Sequence, residues 1–517
     1  MIIEEVLGAV LDNWFLVPIF LVSFYVLYNR YGYGLNRYPG PFLASVTDLW
    51  QVYAASNYGR HFLIDLHEKY GDIVRIAPNK LSFANPTAIK DMLGPGKDFR
   101  KSGFYYVSAA TAKGRASPSL FSTLDKDYHD RIKRCVNQAF STTSLVNYEP
   151  YVNHVITLFL EQMHARFANK PGSEGIFNLV RWLHFYALDV IGEVVYGKSY
   201  GFLESGTDVG NMAADTQDML DYAYLAGQAP WVDRLFKKNP ITMWLTRRGF
   251  IGSHINPAVA SAMKAQSARG LGDAKPEEKD LENAKDDGSH EDLMDQFIKA
   301  KHEHPDMLGD REILMLGISM VLAGSDTTAW TLSAFFYYVL RTPGVYSKLV
   351  KEIRDAGATG LFPYTQTQKM PYLDACIKET FRMHPAGRFG SERVVPREGA
   401  TICDEHIPGG SVVVINAWPI HRRRDIWGDD VETFRPERWL ENEERAKRMY
   451  SMLSQFGHGN FICIGKNISL LEMYKVTAAT LNEFDVELVD PEREWKLLAG
   501  NFVRPDRVDV RIRRRQK

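Results

Sequence analysis

Cys463 lies in the run Phe456-Gly457-His458-Gly459-Asn460-Phe461-Ile462-Cys463-Ile464-Gly465 and is one of four cysteines in 517 residues. Glycines at 457, 459 and 465 let the backbone fold closely around the sulfur and leave main-chain amides free to hydrogen-bond it, while Phe456 and Ile462 can exclude water. Those surroundings suit a metal-bound thiolate; taken alone, the same residues also suit a buried, inert cysteine in a Gly-rich turn. Two other groupings carry chemistry. In Ala323-Gly324-Ser325-Asp326-Thr327-Thr328 an acid stands beside hydroxyls in the middle of an apolar stretch. There Gly324 leaves space beside the axis for a planar ligand, and Thr327 can hold a water. The plainer alternative has the hydroxyls bonded back to helix carbonyls and Asp326 capping a neighbour. Glu379-Thr380-Phe381-Arg382 puts a carboxylate and a guanidinium three apart on one helix face, a pairing that means little in isolation.

The elements that must position these residues are mainly helices with a few short strands. Residues 313–340 are apolar over 28 positions with the single charge of Asp326. An Asp at mid-bilayer costs roughly 2.5 to 3.5 kcal/mol, so this segment is expected to be a buried helix and not a membrane span. Alternation over 72–76 and 80–83 around Ala77-Pro78-Asn79 predicts a hairpin. Residues 267–292, rich in Gly, Lys, Asp and Glu, read as an exposed connection between helices. No internal repeat is present, and no alternation of strands and helices of the doubly wound kind.

The N-terminus differs in character. Residues 14–28 carry no charge, and residues 6–11 extend the apolar stretch, which together make a single span with Glu4 and Glu5 before it and Arg30 and Arg37 after it. The basic flank predicts that everything following stays cytosolic. A cleaved signal is disfavoured by the acidic leading residues and the lack of a small-residue cleavage site. Tyr38-Pro39-Gly40-Pro41 is a stiff break after it. Residues 1–30 thus read as a membrane anchor, 31–45 as a Pro/Gly hinge and 46–517 as the catalytic body.

Composition narrows the partners. With 62 Lys and Arg against 63 Asp and Glu, no electrostatic reason exists to invoke nucleic acid. Cys135, Cys376, Cys403 and Cys463 lack the spacing of a disulfide framework or a zinc finger.

Taken together, the Cys463 loop, the Asp326-Thr327 helix, the Glu379/Arg382 pair and Phe434-Arg435-Pro436-Glu437-Arg438-Trp439 resemble the cytochrome P450 family, in family order and over nearly the whole chain. The resemblance implies a mainly α fold with small β-sheets, the cytochrome P450 fold, behind a single transmembrane helix. It implies Cys463 as the axial ligand of haem b iron, with Phe456 and Gly457 in the cofactor-binding loop. It also implies Asp326 and Thr327 as the acid and alcohol that deliver protons to bound oxygen. Arg438 is implied to join Glu379 and Arg382 in a buried network that holds the Cys loop, so Arg382→Ala is expected to give haem-free, poorly folded protein. One position departs from the family pattern: Phe461 stands where an arginine usually reaches a haem propionate. Arg393, His129 and Lys133 match other family positions facing those carboxylates, and are expected to compensate.

The activity so implied is insertion of one atom of O2 into an apolar small molecule, by hydroxylation, epoxidation or a related oxidation. Electrons would come from a separate NADPH-cytochrome P450 reductase, with cytochrome b5 as a further donor, at the endoplasmic reticulum membrane. Lys133, Arg134 and Lys466 are candidates for the reductase-docking face. Two alternatives differ in class: a haem-thiolate isomerase, dehydratase or peroxide-using enzyme needing no reductase, and a non-catalytic haem-binding protein. The resemblance places substrate-lining residues in 105–124, 385–392 and 498–502, where Phe389, Leu498 and Phe502 suggest an apolar, aromatic or terpenoid ligand. The chain is most similar to filamentous-fungal members of secondary metabolism.

Overall fold

A computed structural model describes residues 16–57, 62–112, 115–248, 250, 256–271, 291–357, 360–388, 390–498, 500 and 502–515. Its axis is the 32-residue helix Asp310–Arg341, here the central helix, buried from Ile313 to Val339 along most of its length. This is the one described helix long and apolar enough to span a bilayer, yet protein covers it, as the buried Asp326 demands. Its main neighbour is Leu179–Tyr196, in which every residue except Arg181 and His184 is buried. A helix apolar on all sides has to lie inside other elements. Gly324 permits the contact: a Cβ there would stand 2.8 Å from Ile191 Cδ1. The space that Gly324 frees is therefore filled by the neighbouring helix, which corrects the expectation that it is kept for a planar ligand.

One mixed sheet stands beside the helical mass. Its strands lie in the order Ile73–Ala77, Lys80–Phe83, Val412–Ile415, Ser391–Val394 and Arg100–Lys101. The expected hairpin pairs Ile73 with Phe83, with a register shift between Arg75 and Ala77. Val412–Ile415 runs parallel to Lys80–Phe83 and antiparallel to Ser391–Val394. At the edge, Lys101 is the direct cross-strand partner of Arg393.

Helix Pro257–Ala268 takes up the start of the segment expected to be an exposed connection, and helix Leu293–Glu303 opens on an Asp292/Asp295 capping box. Residues 272–290 of that segment lie outside the described residues.

The described N-terminal helix, Leu16–Tyr31, leaves Ile19, Phe20 and Val22 exposed. Its last turn is docked. Buried Arg75 donates to the carbonyls of Asn29 (2.6 Å), Arg30 (2.9 Å) and Pro78 (2.6 Å), and a guanidinium at a helix C-terminus is favoured by the helix dipole. Arg75 N–H also bonds Pro39 O at 2.7 Å. A Cβ at Gly40 would fall 2.2 Å from Arg75 O, so the Pro-Gly segment lies flat on the first strand because position 40 has no side chain.

Candidate functional site

Two elements carry the buried charge network. Helix Pro371–Met383 supplies Glu379 and Arg382, and the 3-10 turn Pro436–Trp439 supplies Arg438. All three residues are fully buried. Arg382 holds Glu379 bidentately, at 3.0 Å and 2.8 Å. Arg438 Nε, Trp439 Nε1 and the Arg435 N–H fill the remaining acceptor positions of the carboxylate at 2.9, 3.0 and 3.0 Å. Burial on its own would raise the Glu379 pKa, but the two guanidiniums and the Arg435 amide outweigh it and hold the carboxyl below its ordinary range. The spare donors of Arg382 reach Val431 O (2.6 Å), Thr433 O (3.1 Å) and His421 O (3.2 Å). Those of Arg438 reach the Trp427 carbonyl and Asp430. Among the described residues, none of these hydrogen bonds touches the Cys loop itself.

The loop folds as its glycines require. Gly457 and Gly459 have φ of 70° and 60°, and a Cβ on Gly459 would stand 2.2 Å from Leu93 O. The Cys463 N–H closes the loop onto Phe456 O at 2.7 Å, and Phe456 packs edge-on against Phe381 of the Glu379/Arg382 helix. Cys463 is solvent-accessible but recessed. Burial pushes its thiol up from the ordinary value, while the amides of Gly465 and Lys466 and the Lys133 ammonium pull it down. Those are the groups that favour a thiolate. Lys133, on helix Lys126–Val136, donates to Asn460 O (2.7 Å) and Ile462 O (3.0 Å). The expectation turned it toward haem carboxylates; in the structure it clasps the two loop carbonyls ahead of the cysteine.

Phe461 is the centre of a cationic cluster. The Arg393 guanidinium lies 4.1 Å from its ring centroid, Lys101 Nζ 5.4 Å and the His129 ring 4.9 Å. Arg393 is buried, donates to Tyr105 OH (2.9 Å) and Glu392 O (2.6 Å), and keeps a buried Nε with no acceptor. Lys101 donates to Leu120 O (2.7 Å) and Phe121 O (2.8 Å). Two like charges directly opposite on adjacent strands are unfavourable, the more so when desolvated. Burial, Arg393 and Lys133 together bring Lys101 down to about 7. The neighbouring carboxylate gives no relief, since side chains alternate along a strand and Glu392 is taken by Lys80 (2.7 Å) and Ser102 (2.6 Å). Two basic side chains that make no ion pair among the described residues, with an unfilled guanidinium donor on Arg393, fit the carboxylates of a haem edge. Lys101 is a site residue that no local sequence signal marks, because its place beside Arg393 shows only in the strand order of the sheet. His129 is buried, bonds Asp130 at 2.9 Å, and is brought down to about 4 by burial and by Lys101. It is a neutral ring in the cluster.

Asp326 and Thr327 diverge. Buried Asp326 accepts from His184 Nε2 at 2.7 Å, and that imidazole packs against Trp330. Thr327 bonds back to Ala323 O at 2.8 Å, on a turn where Ala323 is exposed. The plainer alternative for these hydroxyls is thus what the geometry contains, with His184 as the neighbour of the acid. Thr328 and Ser469 hydroxyls meet at 3.2 Å, which fixes the central helix beside helix Lys466–Glu483 that follows Cys463. In the expected lining, Tyr105 meets Phe121 edge-on and Phe502 bridges Gly387; Phe389 lies outside the described residues.

Comparison with known proteins agrees with this architecture. Residues 39–508 match the cytochrome P450 family, and the chain belongs to it. It is 35% identical over 504 residues to the cytochrome P450 monooxygenase cicH of Emericella nidulans, covering 96% of this chain and 97% of that protein. A cytochrome P450 monooxygenase of Aspergillus terreus is 35% identical over 91% of this chain and 94% of its own length. The asR2 monooxygenase of Sarocladium schorii is 33% identical over 93% of each. The protein is accordingly a mainly helical haem-thiolate oxidoreductase, with iron held by a cysteine thiolate.

Proposed function

We propose that Cys463 is the axial ligand and that the protein inserts one atom of O2 into an apolar small molecule of fungal secondary metabolism, drawing electrons from an NADPH-cytochrome P450 reductase. The observation that carries this reading is the Cys463 loop, clasped by Lys133 and lying beside a buried Arg393/Lys101 pair that makes no ion pair with a carboxylate among the described residues. Bound haem would supply O2 activation, and a thiolate ligand donates the electron density that favours O–O cleavage. The chain's own residues do the rest. Gly465 and Lys466 amides favour the sulfur as an anion, and Arg393 and Lys101 would hold the cofactor's carboxylates. Asp326 and Thr327 are the candidate proton carriers, and Tyr105, Phe121, Leu498 and Phe502 offer apolar surface to a substrate.

Residues 1–30 are proposed as a membrane anchor, 31–45 as the connection and 46–517 as the catalytic domain, at the cytosolic face of the endoplasmic reticulum. The described helix Leu16–Tyr31 has 16 residues, about 24 Å at 1.5 Å per residue, so a full span needs the preceding apolar residues as well. A second apolar surface supports membrane contact. Helices Pro230–Phe236 and Pro240–Arg247 leave Trp231, Phe236, Ile241 and Trp244 exposed among lysines and arginines, a composition suited to a lipid interface.

The test is a reduced carbon-monoxide difference spectrum of the purified protein beside Cys463→Ala, followed by product analysis with reductase and NADPH. A thiolate-type band lost in the variant, with NADPH-dependent oxidation of an apolar substrate, is expected. A histidine-type band would overturn the ligand, and turnover independent of reductase would overturn the electron source.

A further inference from the structure

The Glu379/Arg382/Arg438 network is buried a short distance from the Cys loop, yet its hydrogen bonds end on the segment 421–439. The polar connection runs through a different side chain. His421 is fully buried, its Nδ1 lies 3.2 Å from Arg382 O, and its Nε2 lies 3.0 Å from the Ser454 N–H. A carbonyl only accepts and an amide N–H only donates, so the two contacts define one state: a neutral ring with the proton on Nδ1 and a lone pair on Nε2. An imidazolium would set an N–H against the Ser454 N–H. Beyond Ser454 the chain of contacts continues into the loop, through Gly457 N–H to Ser454 O (3.1 Å), the Ser454 and His458 side chains (2.9 Å) and Cys463 N–H to Phe456 O (2.7 Å). On the other side, Arg382 O and Met383 O are end carbonyls of their helix, and Arg422 shares in satisfying them at 3.1 and 2.8 Å.

We propose that His421 is a positioning residue for the thiolate ligand: its Nε2 lone pair ties the start of the Cys463 loop to the Glu379/Arg382 helix, so that the charge network sets the loop through this ring. The inference rests on Cys463 being the ligand. It is separable from that reading, because Cys463→Ala tests the ligand and His421 variants retain it. Glutamine in place of His421 restores an acceptor near Nε2; asparagine reaches only the Nδ1 side; phenylalanine keeps the ring's bulk and neither function.

The experiment uses the full-length haem-loaded protein and follows conversion of the carbon-monoxide-bound thiolate band to the non-thiolate band in mild urea. His421→Phe and His421→Asn are expected to convert about fivefold to tenfold faster than the wild type, on the scale of one buried hydrogen bond lost and one donor left unpaired, and His421→Gln within about twofold of it. If His421→Phe does not fold, the asparagine and glutamine variants decide. All variants converting at the wild-type rate, or glutamine converting as fast as asparagine, would overturn the proposal, since a residue serving packing alone does not separate those two amides.

Discussion

Arg382 does what no lysine could do in its place. Its planar fork holds Glu379 with two donors and gives the others to Val431 O, Thr433 O and His421 O. Arg382→Lys keeps the charge and loses the fork. It is expected to cost about 3 to 5 kcal/mol, the scale of a broken buried charge network, read as a lower urea midpoint together with reduced haem content. At Phe461 the balance is different. The ring contributes no charge, but its face accepts Arg393 at 4.1 Å, and cation–π contact holds a guanidinium that has no carboxylate partner among the described residues. A carboxylate placed beside Lys101 would favour its charged form and so give a second positive charge. Lys101→Met is therefore expected to speed haem transfer to apomyoglobin about tenfold, equivalent to about 1.4 kcal/mol, while leaving the thiolate band in place. A variant that lost the thiolate band, or kept its haem as firmly as wild type, would contradict the assignment.

Between elements, the closest approach that matters is that of the central helix and Leu179–Tyr196. It depends on Gly324, where a Cβ would press on Ile191 Cδ1 at 2.8 Å. Because the obstacle is the tip of a flexible side chain, Gly324→Val should be tolerated at a cost of about 1 to 3 kcal/mol by overpacking. Ile191→Ala in the same chain should recover part of it, a coupling that a double-mutant cycle of thermal unfolding measures. Additive effects would mean that the two helices do not meet there. The same pair of helices brings His184 to Asp326. Nothing in the spacing of either segment announces that contact, since the two residues lie 142 positions apart.

For the molecule as a whole, buried neutral histidines set an acid limit. Burial brings His421 down to about 3, helped by Arg422 and Arg382, and His67 down to about 4. His67 is held between Gly71 O and Ser82 Oγ, both at 2.8 Å. Both folded values lie below the unfolded one, near 6.5, so the unfolded chain binds more protons below that pH. The stability these rings permit is complete above about pH 6.5 and falls, by up to about 1.4 kcal/mol per pH unit for each ring, toward the folded values. The thermal midpoint should therefore drop as pH falls from 7 to 5, and His67→Gln should flatten the slope. An unchanged slope would mean that other groups carry it.

Much of this protein is written locally. The Cys463 loop, the Glu379/Arg382 spacing and the apolar run around Asp326 sit on contiguous residues, and a buried charge in 28 apolar positions already says that the helix lies in protein and not in lipid. The hairpin at 73–83 follows from alternation and a turn in the same way. What the chain order could not disclose is which separate segments share a neighbourhood. Lys101 belongs with Arg393 because two short strands pair at a sheet edge. Gly324 faces Ile191 because of how two helices cross. His421 joins Arg382 to Ser454 because the segment between them folds back on its own helix. Each of these depends on contacts between residues far apart in sequence, where burial and pairing outweigh local preference, and only the folded chain fixes them.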